Sequence, residues 1–303
     1  MGVTERPLTG QRRPAAGRLA ARPLRARLLP KVGVGIQYGL LILLLVLSFF
    51  IVLLMIALSL RPTVLIYVDF WALPWPPIFD NYQEAVLDLV PSLLRTLYVC
   101  AVSITGILAV SCAAAYAFAR MRFPGRDALF YVVLAVLMIP GIILLTPHYI
   151  IATDLGLRGS LWGLIVFYIA GGLPFAVFLI TTFFRSQPQE IFEAARVDGA
   201  SPGQALYQIA IPLAWPILVT VAIFNFLSIY SDFIWPTLMV SQSQQTLILA
   251  LEQYNPQVGE FGSRPDIGLQ TAGYVFATVP QLLVFAFGMK YFVQGVTSGA
   301  VKA

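Results

Sequence analysis

The chain has 303 residues, 59% of them hydrophobic and 11% charged, with a mean hydropathy of +0.83 and a formal net charge of +5. A water-soluble domain carries about a quarter charged residues, so this composition excludes a soluble globular fold and marks a polytopic membrane protein. The positive excess is not a nucleic-acid footprint, because most of it sits in one place.

That place is the N-terminal segment, where Arg6, Arg12, Arg13, Arg18, Arg22, Arg25, Arg27 and Lys31 precede the first long apolar run. Such a cluster sets topology and holds the N-terminus in the cytoplasm. Residues 1–35 are rich in Arg, Pro, Ala and Gly, cannot bury a core, and read as a disordered basic cytoplasmic tail. A signal peptide is the competing reading. The run over 36–60 is too long for its apolar region and lacks a small-residue cleavage site, so it reads as an anchor.

A helical span takes about 20 apolar residues, and six stretches qualify: 36–60, 92–118, 128–150, 160–184, 212–236 and 271–293. The expected fold is therefore all-α, a six-helix transmembrane domain over 36–303. Cys100 and Cys112 both fall in the second span. About 18 Å of helix separates them, too far for a disulfide, and they read as small apolar fillers. Loop charge gives the orientation. Asp69, Asp80, Glu84 and Asp88 against Arg61 place 61–90 outside, and Arg120, Arg122 and Arg126 against Asp127 place 119–127 inside. Glu252, Glu260 and Asp266 against Arg264 place 237–270 outside, with both termini in the cytoplasm.

One connection departs from this rule. Residues 185–211 are cytoplasmic by parity, yet they hold Glu190, Glu193 and Asp198 against Arg185 and Arg196. Such charges point to a protein partner. Pro188 suits the first turn of a helix, and Glu190 follows where its charge meets the positive end of the dipole. Ile191, Ala194, Ala195 and Val197 are expected to share one face, and Gly199 is a C-terminal stop. In "SPGQ", Ser201 reads as N-cap, Pro202 as the first helical position and Gln204 as the third, a capping box. A second short helix is then expected to Ile211, with Pro212 marking the turn into the fifth span. An interfacial helix lying on headgroups is the plainer reading, but its polar face would be acidic where lipid-binding helices are basic.

The same residues carry a resemblance. "EAARVDGASPGQALYQIAIP" is similar to the EAA loop of ABC importer permeases: Glu193-Ala194-Ala195, then Gly199, then Ile209-x-Ile211-Pro212, with isoleucine where leucine usually precedes the proline. "VDGAS", "DNYQEAV" at 80–86 and the ending "KYFVQGVTSGAVKA" look like the carbohydrate-uptake branch, and most of 36–303 resembles the maltose-type second permease subunit. The resemblance implies the type I ABC importer fold in a bacterial cytoplasmic (inner) membrane and transport of a carbohydrate. It implies as partners a dimer of ABC ATPase subunits, a second homologous permease and an extracytoplasmic solute-binding protein, with membrane lipid around the spans and no nucleic acid. In that family the loop over 188–212 enters a groove of the ATPase, so Glu190, Glu193, Ala194, Ala195, Asp198, Gly199, Ile209 and Pro212 become the expected coupling residues. The chain has no GxxxxGK[ST] phosphate loop, so ATP hydrolysis is assigned to a partner, and no enzyme activity or cofactor is expected.

For the solute, "IFNFLSIYSDFIWP" in the fifth span places Asn225, Ser228 and Asp232 on one expected polar stripe, with Trp235 near its end. Intramembrane polar residues mark functional positions, and hydroxyl partners beside an aromatic face suit a sugar. Interhelical hydrogen bonding is the alternative. Tyr230-Ser231-Asp232-Phe233 stands where family members often carry Trp-Asn-Asp/Glu-Phe, which leaves the particular solute open. Pro140-Gly141 and Gly171-Gly172-Leu173-Pro174 are expected to kink spans three and four, as hinges or as packing bends. His148 reads as an interfacial histidine with no ligand role. The rival function is an ATP-independent secondary transporter or channel for a small polar solute; it would leave the cytoplasmic elbow unexplained, and neither an internal repeat nor a buried acid–base pair supports it.

Overall fold

The computed structural model describes the backbone of residues 25–258 and 264–300, with side chains described over 34–258 and 264–290. The tail expected over 1–35 lies mainly outside the described residues. The chain divides into two units, 1–53 and 54–303. The first holds most of α1 (Arg25–Ser59), whose side chains over 34–53 are exposed, as for a helix surrounded by lipid or by other subunits.

The second unit begins with α2 (Thr63–Val68), whose C-terminal carbonyls are capped from the side. Arg61, read from sequence only as a topogenic charge, is buried and donates through Nη1 to Phe70 O at 3.0 Å and through Nη2 to Leu65 O at 3.1 Å and Asp69 O at 2.6 Å. Next comes α3 (Asp80–Arg120), longer than the expected span because a polar N-terminal extension runs through Pro91 into it. Burial explains the excess: Ala85 packs with Leu269 and Ala272 in a small apolar cluster, and that contact stabilises helix beyond the proline.

The third span is broken. α4 (Arg126–Val136) and α5 (Gly141–Asp154) meet at 98°, with Pro140 as the N-cap of α5. The expected kink is thus a full break, and α4 ends at the residue whose carbonyl the Pro140 ring would strike in a continuous helix. α6 (Trp162–Ser186) instead runs unbroken through Pro174. Its glycines act by closeness: a Cβ on Gly172 would lie 2.5 Å from Ile107 Cδ1 and 2.7 Å from Asn225 Oδ1. The absence of that carbon lets α3 and α6 approach, and they form the heart of the buried cluster, with Ile107, Ile165, Ala176 and Phe184 in it. Cys100 and Cys112 are free and buried there.

The chain then passes through α7 (Gln189–Val197), α8 (Pro202–Ala205), a π-helical turn over Leu206–Ala210 and α9 (Ile211–Leu213), and bends by 77° into α10 (Trp215–Ser231). Beyond α10 come α11 (Ile234–Met239) and α12 (Leu247–Glu252), then a two-stranded antiparallel ladder in which β1 (Gln257–Val258) pairs Gln257 with Pro265 of β2 (Arg264–Pro265). α13 (Ile267–Ala300) closes the described chain. Burial and a hydrogen bond to Asp88 Oδ2 (3.0 Å) both push the Tyr254 phenol up, and that bond ties the end of α12 to the N-terminal part of α3. Among the described residues the fold is predominantly helical, with four helices long and apolar enough to cross a membrane, or up to six if each bent pair is one span.

Candidate functional site

The elbow is built by local capping. At the end of α7, Gly199 N–H donates to Arg196 O at 3.1 Å and Ala200 N–H to Ala195 O at 2.9 Å, the paired bonds of a Schellman stop. Gly199 holds φ +84°, and no atom lies within 4 Å of where its Cβ would be, so glycine is required there by backbone conformation alone. Two residues on, Ser201 N–H donates to Gln204 Oε1 at 2.8 Å and Gln204 N–H to Ser201 Oγ at 3.3 Å, the reciprocal capping box read from the sequence.

Three details differ from expectation. Pro188 is the N-cap of α7, one position outside the helix. The apolar face expected from Ile191, Ala194, Ala195 and Val197 is not the packed one: Phe192 is the buried residue, while Ile191, Ala194 and Val197 are exposed. Larger Phe192 takes the inward position because an aromatic pocket receives it, with Tyr116 at 6.5 Å between ring centroids. Finally, Pro212 lies inside α9 and the turn falls at Ala214, because the π-helical turn carries the rod past the proline.

Of the expected coupling residues, Glu190 and Ala194 are exposed on α7, Asp198 is exposed at its C-cap, Ala195 is half-buried, and Glu193 is exposed and accepts from Gln189 Nε2 at 2.6 Å. Ile209 packs on the main core while Pro212 is exposed.

What fastens the elbow was missed by the sequence. Arg120, at the end of α3, donates through Nη2 to Phe184 O at 2.5 Å and Gln187 O at 2.8 Å, and its guanidinium lies 4.0 Å from the centroid of Phe192. Gln187 Nε2 in turn donates to Ala210 O at 3.1 Å. One arginine thus joins α3, the end of α6 and α7, and one glutamine joins that junction to the π-helical turn. Positive charge at a span end was the only signal Arg120 gave, and topology absorbed it.

The polar stripe in the fifth span is not one stripe. α10 stops at Ser231 and Asp232 is extended (φ −75°, ψ 130°). A helix continuing to Pro236 would drive the proline ring into the Asp232 carbonyl, so the break falls there. Asp232 caps it: Oδ1 accepts from Ile234 N–H at 2.9 Å and Trp235 N–H at 3.4 Å, and Oδ2 accepts from Tyr168 Oη of α6 at 2.8 Å. Asn225 is buried and donates to Val221 O at 2.8 Å. Trp235 is buried too, its Nε1–H donating to Gly163 O at 3.1 Å and its ring packing 5.2 Å from Phe167 and 6.1 Å from His148. Ser228 alone of the four lies on the exposed face, which it shares with Phe224 and Ser231 at helical spacing. Gln281 of α13 donates to Ser231 Oγ at 2.8 Å, a pairing no sequence spacing reveals.

Comparison with known proteins places these features in a family. Residues 105–298 match the model described as "Binding-protein-dependent transport system inner membrane component". The trehalose transport system permease protein SugB of Mycobacterium tuberculosis is 34% identical, over 81% of this chain and 89% of that protein. The diacetylchitobiose uptake system permease protein NgcG of Streptomyces coelicolor is 33% identical, over 74% of each chain. Among solved structures, a chain of a bacterial ABC transporter involved in the import of the acidic polysaccharide alginate superposes with a TM-score of 0.75 at 21% identity, covering 86% of this chain and 97% of that one. At that identity the likeness is one of fold.

Proposed function

The chain belongs to the family of binding-protein-dependent transport system inner membrane components, and from that premise we propose that it forms half of the translocation pathway of an ATP-driven importer for a carbohydrate. It is a non-catalytic permease subunit, and its ATPase and its solute-binding protein are separate chains. The carbohydrate assignment rests on relatives named for trehalose and diacetylchitobiose. Both bent helix pairs count as single spans in this reading, giving six, with both termini cytoplasmic and a second homologous permease completing the pathway.

The observation that carries the mechanism is the elbow. α7 and the α8–α9 rod are joined by an intrahelical stop and a capping box, with Gly199 between them. The unit moves as one body, so a shift of an ATPase groove holding the exposed Glu190, Ala194 and Asp198 face passes through Pro212 and Ala214 into α10. There Ser228 faces the pathway beside Ser231, whose hydroxyl accepts from Gln281, while Asp232 and Trp235 shape the break at its outer end and Asn225 sets the packing behind it. Hydroxyl and amide groups on a lipid-depth surface are costly unless protein or water covers them, which supports a solute path there. Loss of labelled disaccharide and oligosaccharide uptake on deletion of this chain's gene, restored by the wild-type gene, tests the assignment. Undiminished uptake of every such sugar, with loss confined to a non-carbohydrate solute, overturns it.

A further inference from the structure

A cavity of about 830 Å³ lies between the inner end of α3, the turn into α4 and the inward flank of the elbow. Four arginines line it (Arg120, Arg122, Arg126 and Arg196) against a single carboxylate, Glu193. Arg120 is committed to carbonyls and Arg126 pairs with Asp127 at 2.9 Å, but Arg122 and Arg196 have no ion pair among the described residues. Tyr116 and Phe192 supply an apolar floor. The side of α7 that enters the cavity carries Gln189, Glu193 and Arg196, distinct from the Glu190, Ala194 and Asp198 side left to the ATPase. Unneutralised guanidinium groups fork onto phosphate oxygens, and the cavity is far larger than a bare ion needs.

We propose that this cavity binds a phosphate-bearing anion bridging the α3–α4 turn to the elbow, with the headgroup of an anionic membrane lipid as the source its position favours. It sits where two apolar helices, α3 and α4, end and begin, which is headgroup depth, and its oily floor beneath a cationic rim matches a glycerophosphate joined to acyl chains. The inference rests on the cytoplasmic placement of the elbow but not on the identity of the transported solute. Occupancy would fasten the elbow to α3 through a second contact besides Arg120, making coupling responsive to the ligand.

The test uses the assembled transporter in nanodiscs of phosphatidylcholine alone or phosphatidylcholine and phosphatidylglycerol in equal parts, with retained lipid counted by native mass spectrometry. Wild type should retain phosphatidylglycerol, and Arg122→Ala with Arg196→Ala should lower retention about tenfold or more, as loss of charge-assisted hydrogen bonds implies. Arg122→Lys should keep part of it, and Arg158→Ala, outside the cavity, all of it. Co-purification of the ATPase checks that each variant is assembled. In detergent, a rise in melting temperature with inorganic phosphate or glycerol 3-phosphate that the double variant loses, without selective phosphatidylglycerol retention, would support the same chemistry from a soluble source. Equal retention and equal phosphate response in wild type and double variant would overturn the proposal. So would labelling of Arg122→Cys that the ATPase blocks and phosphatidylglycerol leaves unchanged, since the occupant would then be a protein segment.

Discussion

Replacing Arg120 with methionine keeps the apolar stem but removes the two bonds to Phe184 O (2.5 Å) and Gln187 O (2.8 Å) and the stacking on Phe192 at 4.0 Å. Hydrogen bonds from a charged group are worth about 1.5–3 kcal/mol each, and a cation over an aromatic ring adds about 0.5–2 kcal/mol. Arg120 is only half-buried, so water replaces part of this, and a net loss of about 3 kcal/mol is the reasonable expectation. At about 1.4 kcal/mol per decade, that raises local opening of the elbow about a hundredfold. Hydrogen exchange on α7 reads this directly, with amides over 99–107 of α3 as an internal reference. The prediction is faster α7 exchange, lower uptake and ATPase activity that no longer follows loaded binding protein, with Arg120→Lys recovering part of each. Exchange in α7 indistinguishable from wild type would refute the role given to Arg120.

Gly199→Val should cost about 1–2 kcal/mol through its positive φ alone, since no neighbour obstructs the new carbon; the ATP consumed per solute should rise, with Gly199→Asn milder. Glu190→Arg reverses the charge on the exposed face of α7 left to the ATPase and should weaken ATPase association, read as loss of co-purification at lower salt than wild type withstands. Tyr168→Phe and Asp232→Asn should each lower uptake about tenfold while assembly survives, and their double mutant should be no worse than either single, a coupling of about 1–2 kcal/mol; additive losses would dissociate the pair seen at 2.8 Å.

The elbow was legible because its determinants are local: Ser201, Gln204 and Gly199 act within one turn of chain. The apolar runs were legible for the same reason. Proline shows where such reading ends. Pro140 and Pro236 break their helices, whereas Pro91 and Pro174 sit inside unbroken ones. The ring chemistry is the same in all four. The difference lies in partners far along the chain: Leu269 and Ala272 packed with Ala85 beyond Pro91, Asp232 held by Tyr168 at the break before Pro236. Phe192 was overlooked likewise, because choosing the buried face of α7 depends on the pocket that Tyr116 and Arg120 form. Asp232 was found as a polar residue but not in its orientation, since a helix break rotates everything after it, and Asn225, ahead of the break, turns inward because Gly172 of α6 leaves room for its amide.

On the proposed function, this chain moves a carbohydrate only as part of an ATP-driven, binding-protein-dependent complex. Proteoliposomes holding this chain with its second permease and ATPase test it most directly, with ATP sealed inside and loaded binding protein outside. Labelled sugar should accumulate only with both ATP and binding protein, persist in accumulating when ionophores collapse proton and sodium gradients, and fail to accumulate without the ATPase. Sugar accumulation that survives removal of the ATPase but disappears with the ion gradient would contradict it and identify a secondary transporter.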